Sequence, residues 1–163
     1  MKEAEAVSEG LREIVISRED AVFWMDGNGR WRNRHGKFEK RSVIDHFNAA
    51  IRRDEGGYYV GQVKGTVREK VYFRHEGTPL FVTAVDETEG GLALTLNTGR
   101  RLALVPERLW VAEDSLYLAD GEERIKFTDR ALMKIADHFD EEGGTLRIVI
   151  GGRSVPIPEA EGN

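Results

Sequence analysis

The stretch AVFWMDGNGRWRNRH, residues 21–35, decides the fold of the first half of the chain. Two runs, 21–25 and 30–35, flank Asp26-Gly27-Asn28-Gly29, in which the Asp-Gly and Asn-Gly pairs readily adopt the positive φ angles of a tight turn. The stretch therefore predicts two antiparallel strands joined by a short hairpin turn.

The period of the pattern changes after this hairpin. Ser42, followed three residues later by Asp45, resembles a capping box at the start of a helix. The helix is expected to end near Arg53, just before Glu55-Gly56-Gly57. Apolar residues recur at the spacing of one helix face: Val43, Ile44, Phe47 and Ile51.

Short β-rich runs separated by Gly, Pro or Asn occupy the middle of the chain. The short turns between them favour antiparallel pairing, because parallel strands need longer connections. The sequence therefore predicts a central β-meander. The runs are residues 58–63, 67–73, 80–86, 92–96, 101–105 and 109–112.

The end of the chain resembles its beginning, at offsets of 85 to 88 residues. Trp31 aligns with Tyr117, and Gly56-Gly57 aligns with Gly143-Gly144. Any hairpin, helix and hairpin in succession would look similar, so chance resemblance is the alternative. The interpretation that we favour is an α+β fold of two related helix-plus-antiparallel-sheet units with a central β-meander. The apolar residues of the second helix are Ala131, Leu132, Ile135 and Phe139.

The charge distribution divides the chain unevenly. Residues 21–75 hold 12 basic against 6 acidic residues, whereas residues 76–163 hold 9 against 17. A basic segment can bind an anionic partner, or the two parts can simply attract each other. The expected organisation is an N-terminal helix or arm (1–20), a basic helix/sheet unit (21–75), the central meander (76–112), an acidic helix/sheet unit (113–158) and a disordered tail (159–163).

Composition and known motifs argue against several classes of protein. The chain has no cysteine, and neither a signal-peptide-like start nor about 18 consecutive apolar residues is present. A cytoplasmic location without membrane attachment is expected. Metal-ligand spacings, GxSxG and GxxxxGK[ST] are also absent. We therefore expect no catalytic, cofactor or metal site, the alternative being an enzyme with an unrecognised active site.

One surface stands out as a candidate binding site, the basic strand of the hairpin. In an extended strand, Arg30, Arg32 and Arg34 share one face, next to His35 and Lys37. Such a face suits a small anionic ligand or an acidic protein surface. A nucleic acid fits less well because the whole chain carries a net charge of −5. The alternative is a solvated strand face above a tryptophan that faces the core.

Several motifs together resemble the bacterial domain-of-unknown-function family 1285. They are Gly29-x-Trp31-x-x-x-His35-Gly36-x-Phe38, then Gly57-Tyr58-Tyr59 through Val67-x-x-x-Val71 to Thr78-Pro79-Leu80-Phe81-Val82, and finally Leu94-Thr95-Leu96-Asn97-Thr98-Gly99. The sequence departs from the family pattern at His75-Glu76-Gly77-Thr78.

This resemblance covers roughly residues 22–157 and rests on turn and core residues. It implies a two-part fold with repeated structural motifs, no established catalytic activity, and a role in ligand sensing or signal transduction. Together with the missing catalytic motifs, it favours a non-enzymatic binding or regulatory protein.

Overall fold

The computed structural model describes residues 12–160 of the chain. These residues belong to two compact units, the first ending at Pro79 and the second beginning at Leu80. The predicted boundary between the basic unit and the central meander, after residue 75, therefore lies four residues before the observed division.

Within its described residues, the first unit contains one helix, α1 (Arg41–Ala49). Its described strands are β1 (Arg12–Ile16), β2 (Phe23–Met25), β3 (Trp31–Asn33), β4 (Gly36–Lys37), β5 (Ile51–Asp54), β6 (Gly57–Lys64), β7 (Val67–Tyr72) and β8 (Arg74–His75).

These strands form two four-stranded sheets. The first has the order β1-β7-β6-β5 and the second the order β4-β3-β2-β8. Strands β2 and β3 pair antiparallel across the Asp26–Gly29 turn, with Met25 opposite Trp31. The predicted hairpin is thereby confirmed. Strand β1, by contrast, runs parallel to β7.

An aromatic cluster forms the core of the first unit. Trp31 and Phe73 are almost fully buried, and their ring centroids lie 4.9 Å apart. Phe23 packs edge-on against Phe47 of helix α1 at 5.0 Å, and Phe38 does so at 5.3 Å. Such edge-to-face contacts stabilise beyond area burial alone. The cluster joins the β4-β3-β2-β8 sheet to the helix, and Phe73, directly after β7, connects it to the other sheet.

The second unit contains helix α2 (Asp129–Ile135), followed by a 3₁₀ turn at Ala136–His138. A further 3₁₀ turn spans Pro106–Arg108. Its strands are β9 (Phe81–Thr88), β10 (Gly91–Leu96), β11 (Arg101–Ala103), β12 (Leu109–Ala112), β13 (Ser115–Asp120), β14 (Glu123–Phe127), β15 (Phe139–Glu142), β16 (Thr145–Ile150) and β17 (Arg153–Pro156).

The second unit is built on a six-stranded sheet of order β11-β10-β9-β14-β13-β12, next to a three-stranded sheet β15-β16-β17. The Thr128 side chain caps helix α2 by accepting a hydrogen bond from the Ala131 N–H at 3.1 Å, which satisfies a donor that the helix start leaves open. Ala131 and Ile135 then face the buried side.

The two units share part of their order of elements but differ in how the remaining strands join the first meander. Each has an antiparallel three-strand meander, then a helix, then a second antiparallel meander (β5-β6-β7 or β15-β16-β17). However, β8 pairs parallel to β2 in the first unit, whereas β9 pairs parallel to β14 in the second. The added strand thus pairs with the first strand of the meander in one unit and with the last strand in the other. Duplication therefore stays a prediction.

The structure differs from the prediction at both ends of the described chain. Residues Arg12–Ile16 form strand β1 rather than part of a helix, because Ile14-Val15-Ile16 is β-branched and pairs with β7. Residues 1–11 lie outside the described residues. At the other end, Glu159 forms a parallel bridge with Val111 instead of belonging to a disordered tail; residues 161–163 lie outside the described residues.

The predicted central meander is not a separate element. Its strands β9 to β12 hydrogen-bond with β13 and β14 in one sheet of the second unit. The run at residues 101–105 is shorter than predicted and ends at Ala103. The other five predicted runs each coincide with an observed strand to within two residues at either end.

Helix α1 is shorter than predicted and is capped differently. It ends at Ala49 rather than near Arg53, because the next residues pair with β6 as strand β5. Lys40 is the N-cap residue and provides no side-chain cap. Ser42 and Asp45 therefore do not form a capping box; Asp45 pairs instead with Arg41 at 3.3 Å.

The predicted apolar faces of the helices are only partly buried. Helix α1 has no fully buried residue, and Val43 is 37% exposed. Ile51 is buried, but it belongs to a strand. In helix α2, Ile135 is completely buried, while Leu132 is half-buried and Phe139 lies at the start of β15.

We expect Ile135→Ala to lower the free energy of unfolding by about 2–5 kcal/mol, because it leaves a cavity at a fully buried position. Met133→Ala is the matched control: Met133 lies on the same helix and is 76% exposed. Urea unfolding of both variants measures the difference. Equal losses for the two variants would contradict the packing of helix α2.

Candidate functional site

A concave groove lies on the outer face of the β1-β7-β6-β5 sheet of the first unit. Successive side chains of a strand alternate between the two faces of a sheet. Val60 and Val71 are buried on the inner face, so Tyr59, Gly61 and Lys70 lie on the outer one. The groove has a volume of about 410 Å³; we call it the outer groove.

Gly61 sets the shape of the outer groove. A Cβ atom at this position would lie 3.1 Å from Cε2 of Tyr59, so the absence of a side chain lets the tyrosine ring lie close to the strand. A glycine inside a strand often marks such a close approach. The Tyr59 ring therefore forms an apolar wall directly above the backbone.

Lys70 is held over this wall by a charged network. Its Nζ lies 4.7 Å from the centroid of the Tyr59 ring and donates to Asp54 Oδ2 at 2.6 Å. The Tyr72 hydroxyl lies 3.0 Å from both carboxylate oxygens of Asp54 and donates to this carboxylate. The ammonium group is thus fixed in position while only one of its three hydrogens is used by Asp54.

The network fixes the protonation states of its members. Partial burial acts to raise the pKa of Asp54, but hydrogen bonds from Lys70, the Gly56 N–H and Tyr72 outweigh it and hold this pKa below its ordinary value. The hydrogen bond to Asp54 raises the pKa of Lys70. Burial, with the same acceptor, raises the pKa of Tyr72. At neutral pH Lys70 is therefore a cation and Tyr72 a neutral donor.

Arg68 and Glu13 form the opposite end of the outer groove. The parallel pairing of β1 with β7 places them in register, and both line the groove. Within residues 12–160, no carboxylate lies within ion-pair distance of Arg68. Arg52 lines the groove from β5, with its Nη1 bound to the carbonyls of Ala49 and Ile51 at 2.9 Å.

This arrangement suits binding better than proton transfer. A lysine that serves as a nucleophile or base needs a lowered pKa, and that of Lys70 is raised. Cations next to an aromatic wall instead hold an anion with an apolar part. These residues were not predicted from the sequence, although it contains one signal for them: the glycine within the β-rich run 58–63, two residues after a tyrosine.

The predicted basic site lies on the other sheet of the first unit, and its residues do not share one face. Strand β3 ends at Asn33, and Arg34 and His35 form the turn to β4. Arg30 precedes the strand and is exposed. The prediction that this strand extends to residue 35 is therefore wrong. Lys37 lies opposite Arg32, so these two do lie side by side.

Arg32 is largely neutralised by its own hairpin. Its Nε donates to Asp26 Oδ2 at 2.6 Å, and the Asn28 and Arg30 N–H groups donate to Asp26 Oδ1. Partial burial acts to raise the pKa of Asp26, but these hydrogen bonds, led by that of Arg32, lower it overall. The register adds Trp24 beside Arg32. Trp31 is buried beneath, as the alternative interpretation expected.

The second unit offers a smaller cavity of about 100 Å³, lined in part by Leu102, Arg108 and Asp120. Asp120 already accepts a hydrogen bond from Arg100 at 2.6 Å. In the part of the chain that the structure describes, no three His, Asp or Glu side chains group so as to hold a metal ion. Nor does any helix there have the length and apolar character to cross a membrane.

The outer groove and the hairpin thus sit on an α+β fold that is mainly β-sheet. No protein-family model matches the chain, and no curated protein matches it either. Solved structures do match: a DUF1285 family protein from Silicibacter pomeroyi DSS-3 is 14% identical with a TM-score of 0.59, over 90% of this chain and 84% of that chain.

A second crystal structure agrees with the first. A DUF1285 family protein from Shewanella baltica OS155 is 14% identical with a TM-score of 0.52, over 73% of this chain and 93% of that chain. The fold of this chain is therefore DUF1285-like, which confirms the resemblance that the sequence motifs predicted. At this identity the likeness concerns the fold.

We expect Asp54→Asn to lower the free energy of unfolding by about 1–2 kcal/mol at pH 7, because charge-assisted hydrogen bonds are lost. A carboxyl whose pKa is lowered by folding stabilises the protein above its unfolded pKa, and this contribution is lost as the pH falls. The difference in the free energy of unfolding between variant and wild type should therefore shrink once the pH falls below 3.8, the ordinary pKa of an aspartate. Urea unfolding at several pH values measures this difference, and the exposed Glu55→Gln is the control. A difference that does not change with pH would contradict the role of Asp54 in the network.

A second stability prediction separates the basic residues of the hairpin. Arg30, Arg34 and Lys37 are exposed, so their joint replacement by Gln should change the free energy of unfolding by less than about 0.5 kcal/mol. Arg32→Gln removes the partner of Asp26 and should cost about 1 kcal/mol. Thermal unfolding at low and high salt compares the variants. A large loss for the exposed triple variant would show that these residues stabilise the fold.

Proposed function

We propose that this protein is a non-enzymatic binding module that holds a small anionic ligand in the outer groove. The observation that carries the proposal is the placement of Lys70 beside the Tyr59 wall, with Arg68 at the other end of the same groove. The groove volume of about 410 Å³ lies within the range of about 300–1,000 Å³ typical of small-molecule sites.

The two cations would act in different ways. Lys70 is held in place by Asp54 before any ligand arrives, so binding would cost little side-chain entropy. Arg68, half-buried and without a described carboxylate partner, offers its planar guanidinium for two parallel hydrogen bonds to a carboxylate or phosphate. Together they favour an anion over a neutral molecule.

The basic hairpin is the second candidate for anion binding. Lys37 and Arg32 lie side by side next to Trp24, which suits a small anion or an acidic protein surface. We place it second because Asp26 already occupies Arg32 and because Arg34 lies in a turn. An enzyme with an unrecognised site stays the alternative in a different class.

We extend the proposal to ligand sensing on the strength of strand β1. This strand is at the edge of its sheet, yet it contributes Glu13 to the groove. A ligand whose apolar part contacts Val15, which lies opposite Lys70 in this strand, would favour the docked position of β1, and such a change in population is how binding is transmitted. The recurring order of elements further supports two related units.

Thermal unfolding of the full chain with single probes tests the binding function. The probes are acetate, benzoate, octanoate, inorganic phosphate and adenosine monophosphate at millimolar concentration. At least one should raise the melting temperature, because a ligand specific to the native state stabilises it. Arg68→Gln should abolish the rise, whereas Lys64→Gln, an exposed lysine at the end of β6, should keep it.

The contradicting outcomes are equally specific. If no probe raises the melting temperature, the outer groove is not an anion site. If a rise persists in Arg68→Gln but disappears when Arg32 and Lys37 are both replaced by Gln, the hairpin is the site. If wild type converts any probe into a product and Arg68→Gln abolishes this activity, the protein is an enzyme.

A further inference from the structure

The charges of the outer groove are nearly balanced. Lys70 is neutralised by Asp54 at 2.6 Å, and Glu13 faces Arg68 across the β1–β7 pairing. Arg52 supplies one more positive charge, partly satisfied by two backbone carbonyls. Glu69 also lines the groove, but it is the neighbour of Lys70 in β7, so its side chain lies on the opposite face of the sheet. The side chains of the outer face therefore have an excess of about one positive charge, which matches a ligand with one negative charge.

Apolar side chains alternate with these charges on the same face. Val15 lies opposite Lys70 and is 55% exposed, while Val63 lies opposite Arg68 and is 56% exposed. With the ring of Tyr59 they present apolar surface at three points around the cations. A ligand that covers them needs an apolar body as well as its charge.

The geometry points to Glu13 as the residue that restricts the outer groove to amphipathic monoanions, meaning one carboxylate on an apolar ring or short chain. This inference rests on the proposed function, since it names the ligand class of the same groove. Arg68 and Lys70 bind the single carboxylate, and Val15, Val63 and Tyr59 contact the apolar body. A second negative charge on the ligand would meet the carboxylate of Glu13.

Glu13 can exert this effect without any role in the fold. It is exposed on the edge strand, and within the described residues no cation lies within ion-pair distance of it. Like charges a few ångströms apart at a protein surface repel by an amount worth about tenfold in affinity. Removing the charge of Glu13 should therefore favour dianions and leave monoanions nearly unchanged.

Matched pairs of monoacids and diacids test the inference by isothermal titration calorimetry on the full chain. Octanoate is compared with octanedioate, and benzoate with benzene-1,2-dicarboxylate. Wild type should bind each monoacid about tenfold more tightly than its diacid, and Glu13→Gln should remove most of this difference. Glu55→Gln, an exposed acid in the β5–β6 turn of the same sheet, should keep it.

The outcomes separate this inference from the proposed function. If diacids or phosphate bind wild type as tightly as monoacids, the role of Glu13 is refuted while the groove stays an anion site. If Glu13→Gln leaves the preference for monoacids unchanged, Glu13 is likewise not responsible. If neither pair nor phosphate binds wild type, the proposed function fails together with the inference.

Discussion

The indole N–H of Trp31 donates to Oδ1 of Asn48 at 2.7 Å, inside the aromatic cluster of the first unit. A buried indole N–H without an acceptor would cost about 1–3 kcal/mol, so burial of the tryptophan favours the observed position of helix α1. Helix α1 has no fully buried residue of its own. The location of the helix thus depends on Asn48 and on the edge-to-face contacts of Phe47. Strand β5 follows the helix directly, so its position depends on the same contacts.

The contrast between the two sites shows what local sequence can predict. The hairpin turn, most strands of the middle segment and the second helix follow from Gly positions and periodicity, because their contacts are short in sequence. The outer groove requires Glu13 to reach Arg68 through a parallel pairing across 55 residues. No local pattern encodes that partner, and the Glu and Lys residues near the start of the chain instead favoured a helix.

Two of the differences between the predicted and the observed secondary structure have the same physical cause: strand pairing outweighs helical periodicity. Ile51 continues the apolar spacing of helix α1, yet it pairs with Val60 in β5, where its β-branched side chain is buried. Ile14 to Ile16 likewise pair with β7 as a strand, although Ile14 and Val15 stay exposed. In the basic hairpin the prediction failed for another reason. Three arginines at alternate positions suggested one shared strand face, but the chain turns back at Arg34. Asp26 also binds Arg32, the arginine in the middle.

The edge position of β1 also has a kinetic meaning. The β5-β6-β7 meander closes only short loops, so it can form early, whereas β1 must close a loop of about 50 residues and pays a larger entropic cost before it docks. The wall of the outer groove that carries Glu13 would then be the last part of the sheet to assemble and the first to open. Hydrogen exchange at Arg12–Ile16 would thus report on the integrity of the groove separately from the stability of the core.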